Sequence, residues 1–266
     1  MDQLLQHAVS IAPRPHEFEF SICTLVTKKN EYAEMLASFN EAGFTSSICE
    51  YLYLDNSSEN IYDGYKGLNL FLRQAKGKYI IICHQDILIA IDKLEHLTSC
   101  LLTLDKIDPN WALCGNAGAA GPNHIVYHIS YPNGKQMSKG KFPEKVSSLD
   151  ENFLLIKNDA HLSFSTDLQG FHLYGTDLCL NAALNSLTAY VIPFNLIHKS
   201  AGNLSPDFFS IRTAIIKKYN RFFKSRWIQT TFTTFYLSSS PFRFLFGNPL
   251  VLFFVRLKNG ILKKIT

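Results

Sequence analysis

The chain has 266 residues, 47% hydrophobic, 18% charged and 13% aromatic, which excludes a disordered polypeptide and allows one substantial core with an appendage. Its formal net charge of +4 is unevenly spread, because no Asp or Glu follows Asp207 while eleven Lys and Arg lie between Phe208 and Thr266. An acidic body with a basic, aromatic tail is a composition suited to contact with an anionic surface.

Residues 18–27, FEFSICTLVT, read as a strand. Residues 30–43 predict a helix capped at Asn30, with Tyr32, Met35, Leu36 and Phe39 on its apolar face and Gly43 as its stop. A second strand over 48–54 ends at Asp55, Asn56, Ser57 and Ser58. A helix around 61–76 then turns Tyr65, Leu68, Phe71, Leu72 and Ala75 inward and stops at Gly77. YIIICHQDILIA, residues 79–90, opens as a third, buried strand and breaks at His84, Gln85 and Asp86. Strand and helix in alternation predict an α/β sheet, and in such sheets ligands bind at the carboxyl ends of the strands, where Asp55 and Asp86 are expected.

Further on, residues 111–121 read as a strand entering a glycine-rich turn whose bare backbone would approach a ligand closely. The segments flanking YPNGK at 131–135 predict a hairpin closed by an Asn-Gly type I′ turn. Residues 151–157 are a strand candidate, 176–187 an amphipathic helix and 189–194 a last strand, so the main domain is expected over 18–205, after an extension at 1–17.

Four polar positions each carry a structural and a functional reading. Asp86 is either a turn acid or a ligand for a divalent cation that grips phosphates. Asp55 with Asn56 and Ser57 either shapes a turn or binds a base or ribose. Asp177, in a first helical turn, is a helix-dipole acid or a base that removes a hydroxyl proton. His198, after the last strand, is a core or surface histidine or a metal ligand. The sequence has no Walker loop, no GxGxxG after the first strand and no Cys/His cluster at zinc-site spacing.

Taken together, and above all in GLNLFLRQAKGKYIIICHQDI at 67–87, the chain over 18–205 resembles the GT-A glycosyltransferases of the family 2 type, in a bacterial branch linked to capsule and lipopolysaccharide synthesis. His84 stands where that family's Asp-x-Asp motif has its first acid. The resemblance implies a Rossmann-like sheet with helices on both faces and inverting transfer from a nucleotide-diphosphate sugar, a UDP-sugar by preference, to a glycan or lipid-linked acceptor. It assigns Asp55, Asn56, Ser57, Asn69, His84, Gln85 and Asp86 to the donor, and Asp150, Glu151 and Tyr174 to the acceptor side. It gives Asp86 and His198 to a divalent cation, Mn²⁺ or Mg²⁺, and makes Asp177 the catalytic base. A sugar-phosphate nucleotidyltransferase and a non-catalytic scaffold are the alternatives.

Six cysteines without a CxxC pair read as reduced, buried thiols, and the first twenty residues contain no apolar block of signal-peptide length, so a cytoplasmic protein is expected. The extension over 206–266 begins with a helical pattern in which Phe208, Ile211, Ile215, Tyr219 and Phe222 share a face. The apolar stretches of 240–266 are cut by Arg243, Gly247, Asn248 and Pro249, too short to span a bilayer but suited to its surface. The expected partner of this tail is an anionic membrane on its cytoplasmic side, and no nucleic acid.

Overall fold

The computed structural model describes residues 7–12, 15–200 and 206–262. Its first half alternates strand and helix: β1 (Phe18–Val26), α1 (Lys29–Glu41), β2 (Cys49–Asp55), α2 (Lys66–Gln74), β3 (Gly77–Cys83), β4 (Ile87–Leu88), α3 (Leu94–Ile107) and β5 (Trp111–Gly115). Short strands follow: β6 (Ala117–Gly121), β7 (His124–Ser130), β8 (Gln136–Lys139), β9 (Glu144–Val146), β10 (Ser148–Leu149) and β11 (Phe153–Lys157). After them come α4 (Tyr174–Leu184), β12 (Thr188–Val191), β13 (Leu196–His198) and α5 (Pro206–Phe222). The chain ends with β14 (Arg226–Gln229), β15 (Thr234–Leu237), α6 (Arg243–Gly247) and α7 (Pro249–Leu262).

The main sheet has the order β2-β1-β3-β11-β5-β12-β9. Strands β2, β1 and β3 are mutually parallel, while β11 runs antiparallel to both β3 and β5. Alternate residues of β3 explain why both faces must be covered. Tyr79, Ile81 and Cys83 join a core with Tyr32, Met35 and Phe39 of α1 and Leu97, Leu101 and Leu104 of α3. On the other face Ile80 is equally buried and lines a small cavity together with Leu72 of α2 and Leu162. The α/β sheet with helices on both faces is therefore as the sequence predicts.

A second sheet, β10-β6-β7-β13-β4 with β8 on β7, begins where the first is interrupted at Asn116. Residues 111–121 are thus two strands in two sheets, because the buried Asn116 carbonyl accepts the His128 N–H at 2.7 Å and turns the chain aside. Gly118 is needed where the backbone passes the Ser148 carbonyl of β10, a space that a Cβ would fill. The close approach expected of this glycine run is to another strand.

The hairpin between β7 and β8 forms as expected, with a different turn. Gly134 (φ +77°) is in the left-handed region and Asn133 is not, while the Gly134 N–H donates to the Tyr131 carbonyl. Pro132 fixes the second residue at negative φ, giving a type I turn followed by a left-handed glycine.

The chain divides into two bodies, Met1–Ile211 and Arg212–Thr266, so the division falls inside α5. The expected boundary at 205 lies outside the described residues, as do Lys263 and Lys264 and part of the 1–17 extension. In α5, Ile211, Ile215 and Tyr219 are buried as the periodicity requires, whereas Phe222 is half exposed. All six cysteines are free and buried. No helix among the described residues is long and apolar enough to cross a membrane.

Candidate active site

The parallel strands β2, β1 and β3 bring Asn56, Thr27 and the His84-Gln85-Asp86 run to one edge of the sheet. Strand β11 enters from that edge, since Phe153 pairs with Cys83, so residues 150–152 arrive there too. The polar run after β3 is what ties these pieces together. Gln85 Oε1 accepts the N–H groups of Thr27 and Lys28 at 2.8 and 2.9 Å, and its Nε2 donates to Thr27 Oγ1. The His84 N–H donates to the Asn152 carbonyl, and the Asp86 carbonyl accepts the Lys199 N–H. Strand β4 then pairs with β13, placing His198 opposite Ile87.

These contacts assemble a cluster of His84, Asp86 and His198, whose ligand atoms all lie within 4.8 Å of one another. Asp86 Oδ1 is 3.5 Å from His198 Nε2 and 4.0 Å from His84 Nδ1. Burial opposes ionisation of Asp86, but hydrogen bonds from His198 and Ser200 outweigh it and hold the carboxyl below the usual carboxylate range. Desolvation and the neighbouring His198 lower the pKa of His84. An ionised carboxylate beside imidazole nitrogens is a donor set for a divalent cation, and the imidazoles favour Mn²⁺ over the oxygen-seeking Mg²⁺.

A cavity of about 370 Å³ opens beside the cluster, lined among others by Thr27, Lys28, Asn56, His84, Gln85, Asp86, Phe171, Tyr174 and Ser200. Of the residues assigned to a donor from the sequence, Asn56, His84, Gln85 and Asp86 line it. Asp55 and Ser57 do not line it: the Asp55 carboxylate is bound to the Ser57 N–H and Oγ and paired with Lys29 at 2.9 Å. Those hydrogen bonds, Ser57 first and Lys29 next, lower its pKa. Asn69 is elsewhere: it is buried, and its side chain bonds both the N–H and the carbonyl of Phe164. Its placement with the donor is corrected to a structural clamp.

Asp177 is also corrected. It is fully buried in the first turn of α4, accepting the Ser165 N–H at 2.8 Å and Ser165 Oγ–H at 2.7 Å, and it lines neither cavity at this edge. A carboxylate so enclosed holds the 165 segment to the helix and is closed to an incoming hydroxyl.

A second cavity, of about 580 Å³, is lined by Asp150, Glu151, Asn152, Thr176, His198 and an aromatic wall that includes Tyr127, Tyr131 and Phe208. Burial, reinforced by Asp150, pushes the Glu151 carboxyl up to about 8, against backbone hydrogen bonds from Gly175 and Leu173 at the start of α4. Tyr174 lines the first cavity, where its hydroxyl lies 3.1 Å from His84 Nε2 and donates to the Glu151 carbonyl at 3.3 Å. His198 and Tyr174 thereby link the two spaces. Thr27, Lys28 and Ser200 were not singled out from the sequence. All three carry the same signal as Asp86, a polar residue just past a strand end.

No family model matches the chain. Over 213 residues it is 36% identical to a protein of Fuscovulum blasticum named "ATP synthase subunits region ORF 6", an alignment covering 78% of this chain and 86% of the other. Among solved structures, S. aureus TarS 1–349 in complex with UDP-GlcNAc matches at 15% identity and a TM-score of 0.49, covering 76% of this chain and 66% of that one. TarS 1–349 alone matches at 14% identity and a TM-score of 0.46, so the chain spans 60% of that structure while 68% of its own length is covered.

Proposed function

We propose that this chain, which belongs to the family of the Fuscovulum blasticum ORF 6 protein, is an inverting glycosyltransferase that uses a nucleotide-diphosphate sugar, a UDP-sugar by preference. One observation carries the reading: Asp86, His84 and His198 converge at the carboxyl edge of the sheet, with His84 and Asp86 in the wall of one cavity and His198 in the wall of the next. On this reading the first cavity takes the donor and the second a glycan or lipid-linked acceptor of a bacterial surface-polymer pathway. The site would lie at the cytoplasmic face of the inner membrane.

Asp86, His198 and His84 would hold a divalent cation, which supplies positive charge to offset the charge gathering on the departing diphosphate. The chain's own residues do the rest. Asn56 and Gln85 border the donor, and Lys28, paired with Glu31 at 3.0 Å, lies on the same wall. Glu151 replaces Asp177 as the proton acceptor, because it faces the second cavity. The acceptor O–H bond breaks toward Glu151 while its oxygen bonds to the anomeric carbon. The bond from that carbon to the diphosphate oxygen breaks with both electrons leaving on the nucleotide, which inverts the centre.

The test is a thermal-shift screen of UDP-, GDP- and dTDP-sugars with and without Mn²⁺. A cation-dependent upward shift with at least one donor, lost in Asp86→Ala, is expected. No shift across the panel, or an undiminished shift in the variant, overturns the reading. Pyrophosphate release from a nucleoside triphosphate and a sugar phosphate would favour a nucleotidyltransferase instead.

A further inference from the structure

The second body, Arg212–Thr266, wears its apolar residues on the outside. Most of the large apolar side chains exposed in the described chain belong to it, from Ile216 to Leu257. In α7 the arrangement is an inversion of a water-facing helix. Val251, Leu252 and Val255 are partly buried, while Leu250, Phe253, Phe254 and Leu257, spaced at i, i+3, i+4 and i+7, form one exposed face. Phe253 and Phe254 are 58% and 63% exposed. The helix is nevertheless well started: Asn248 Oδ1 accepts the Val251 N–H, and Pro249 occupies the first turn.

Neighbouring elements repeat the pattern. Phe242, Phe244 and Leu245 are exposed at α6, and Phe232, at the tip between β14 and β15, is 97% exposed. The hairpin is fastened to α6 through Trp227, whose ring packs at a 45° tilt against Tyr236, 5.0 Å between centroids, and whose Nε1 donates to the Phe246 carbonyl. These greasy side chains thus project from an ordered scaffold. Around them the sequence supplies only cations: Lys217, Lys224, Arg226, Arg243 and Lys258 among others, with no acid after Asp207.

We infer that the exposed face of α7, together with α6 and the hairpin tip, is a monotopic docking surface for an anionic lipid bilayer. The aromatic and aliphatic side chains enter the boundary between headgroups and acyl chains, and the surrounding Lys and Arg pair with anionic headgroups. No helix of the described chain is long and apolar enough to span the bilayer, so attachment is in the plane. Single-stranded nucleic acid also binds aromatic rings among cations, but Leu250 and Leu257 make half of this helix face aliphatic, which suits acyl chains and offers no base a stacking partner. The inference is independent of the sugar-transfer reading.

Flotation of the full chain with vesicles tests it. Vesicles of phosphatidylcholine with phosphatidylglycerol should carry the protein upward, pure phosphatidylcholine much less, and added salt should weaken the association. Phe253→Ser/Phe254→Ser should lower the affinity roughly tenfold or more, since two phenyl groups no longer leave water. Its circular dichroism should match that of the parent. Brominated lipid should quench Trp227, because the other tryptophan, Trp111, is buried. Full-chain protein that stays at the bottom with both vesicle types overturns the proposal, as does binding unaffected by the double substitution. A dimer that the same substitution converts to monomer would assign the face to a second copy, and vesicle binding abolished by competing RNA would assign it to nucleic acid.

Discussion

Asp86 and Asp177 look alike in the sequence, each an acid among apolar residues at the end or start of an element. Their surroundings separate them: Asp86 lines a cavity and lies beside the imidazoles of His84 and His198, whereas Asp177 is sealed against Ser165. Asp177→Asn is therefore expected to destabilise the fold by ~1–3 kcal/mol, since an amide group then meets hydrogen-bond donors, and to leave the donor dissociation constant unchanged. Paired denaturation and titration measurements check this, and a selective loss of turnover at full stability would restore Asp177 as base. Glu151 gives a pH signature. The unfolded chain ionises this residue near 4.5 and the folded chain only near 8, so its contribution to stability is full below 4.5, declines as pH rises and is lost above 8. Glu151→Gln should flatten that decline, by up to ~1.4 kcal/mol per pH unit, in chemical denaturation at about pH 5 and about pH 8. In a transfer assay the parent's kcat/KM should climb through about 8 as the carboxylate forms. The glutamine variant should lose roughly 100-fold or more, together with the slope.

At the scale of elements, β1 to β3 and the helices between them were legible because each carries a clean period and a stop. The α1 face of Tyr32, Met35 and Phe39 is buried as read. Residues 111–121 were not legible, because Ala and Gly carry too little side chain to show a period or a change of sheet. The two-residue strands β4 and β10 leave no pattern at all. The sequence reading assigns no helix at α3, although Leu97, Leu101 and Leu104 mark its buried side. His198 could be suspected by residue type alone, and only the pairing of β13 with β4 brings it to Asp86. Gln85 belongs to this scale as well, since its side chain fastens the end of β3 to the loop after β1. Gln85→Ala should cost about 1 kcal/mol in denaturant unfolding and weaken donor binding, because Thr27 and Lys28 lose the group that fixes them.

For the whole molecule, the two cavities at the sheet edge are lined by residues of the first body, and the cationic, phenylalanine-rich surface belongs to the second. The two roles should separate: Phe253→Ser/Phe254→Ser should keep the cation-dependent thermal shift given by a donor while losing flotation. The cysteines offer another way to watch the first body alone. All six are enclosed and precede residue 180, and burial pushes Cys49, Cys83 and Cys179 up to about 12. A thiol reagent such as Ellman's should therefore find almost nothing to attack until that body opens. Its colour would then count opening events, with a rate that levels off as reagent is raised, and the second body, which carries no sulfhydryl, would stay silent in the record.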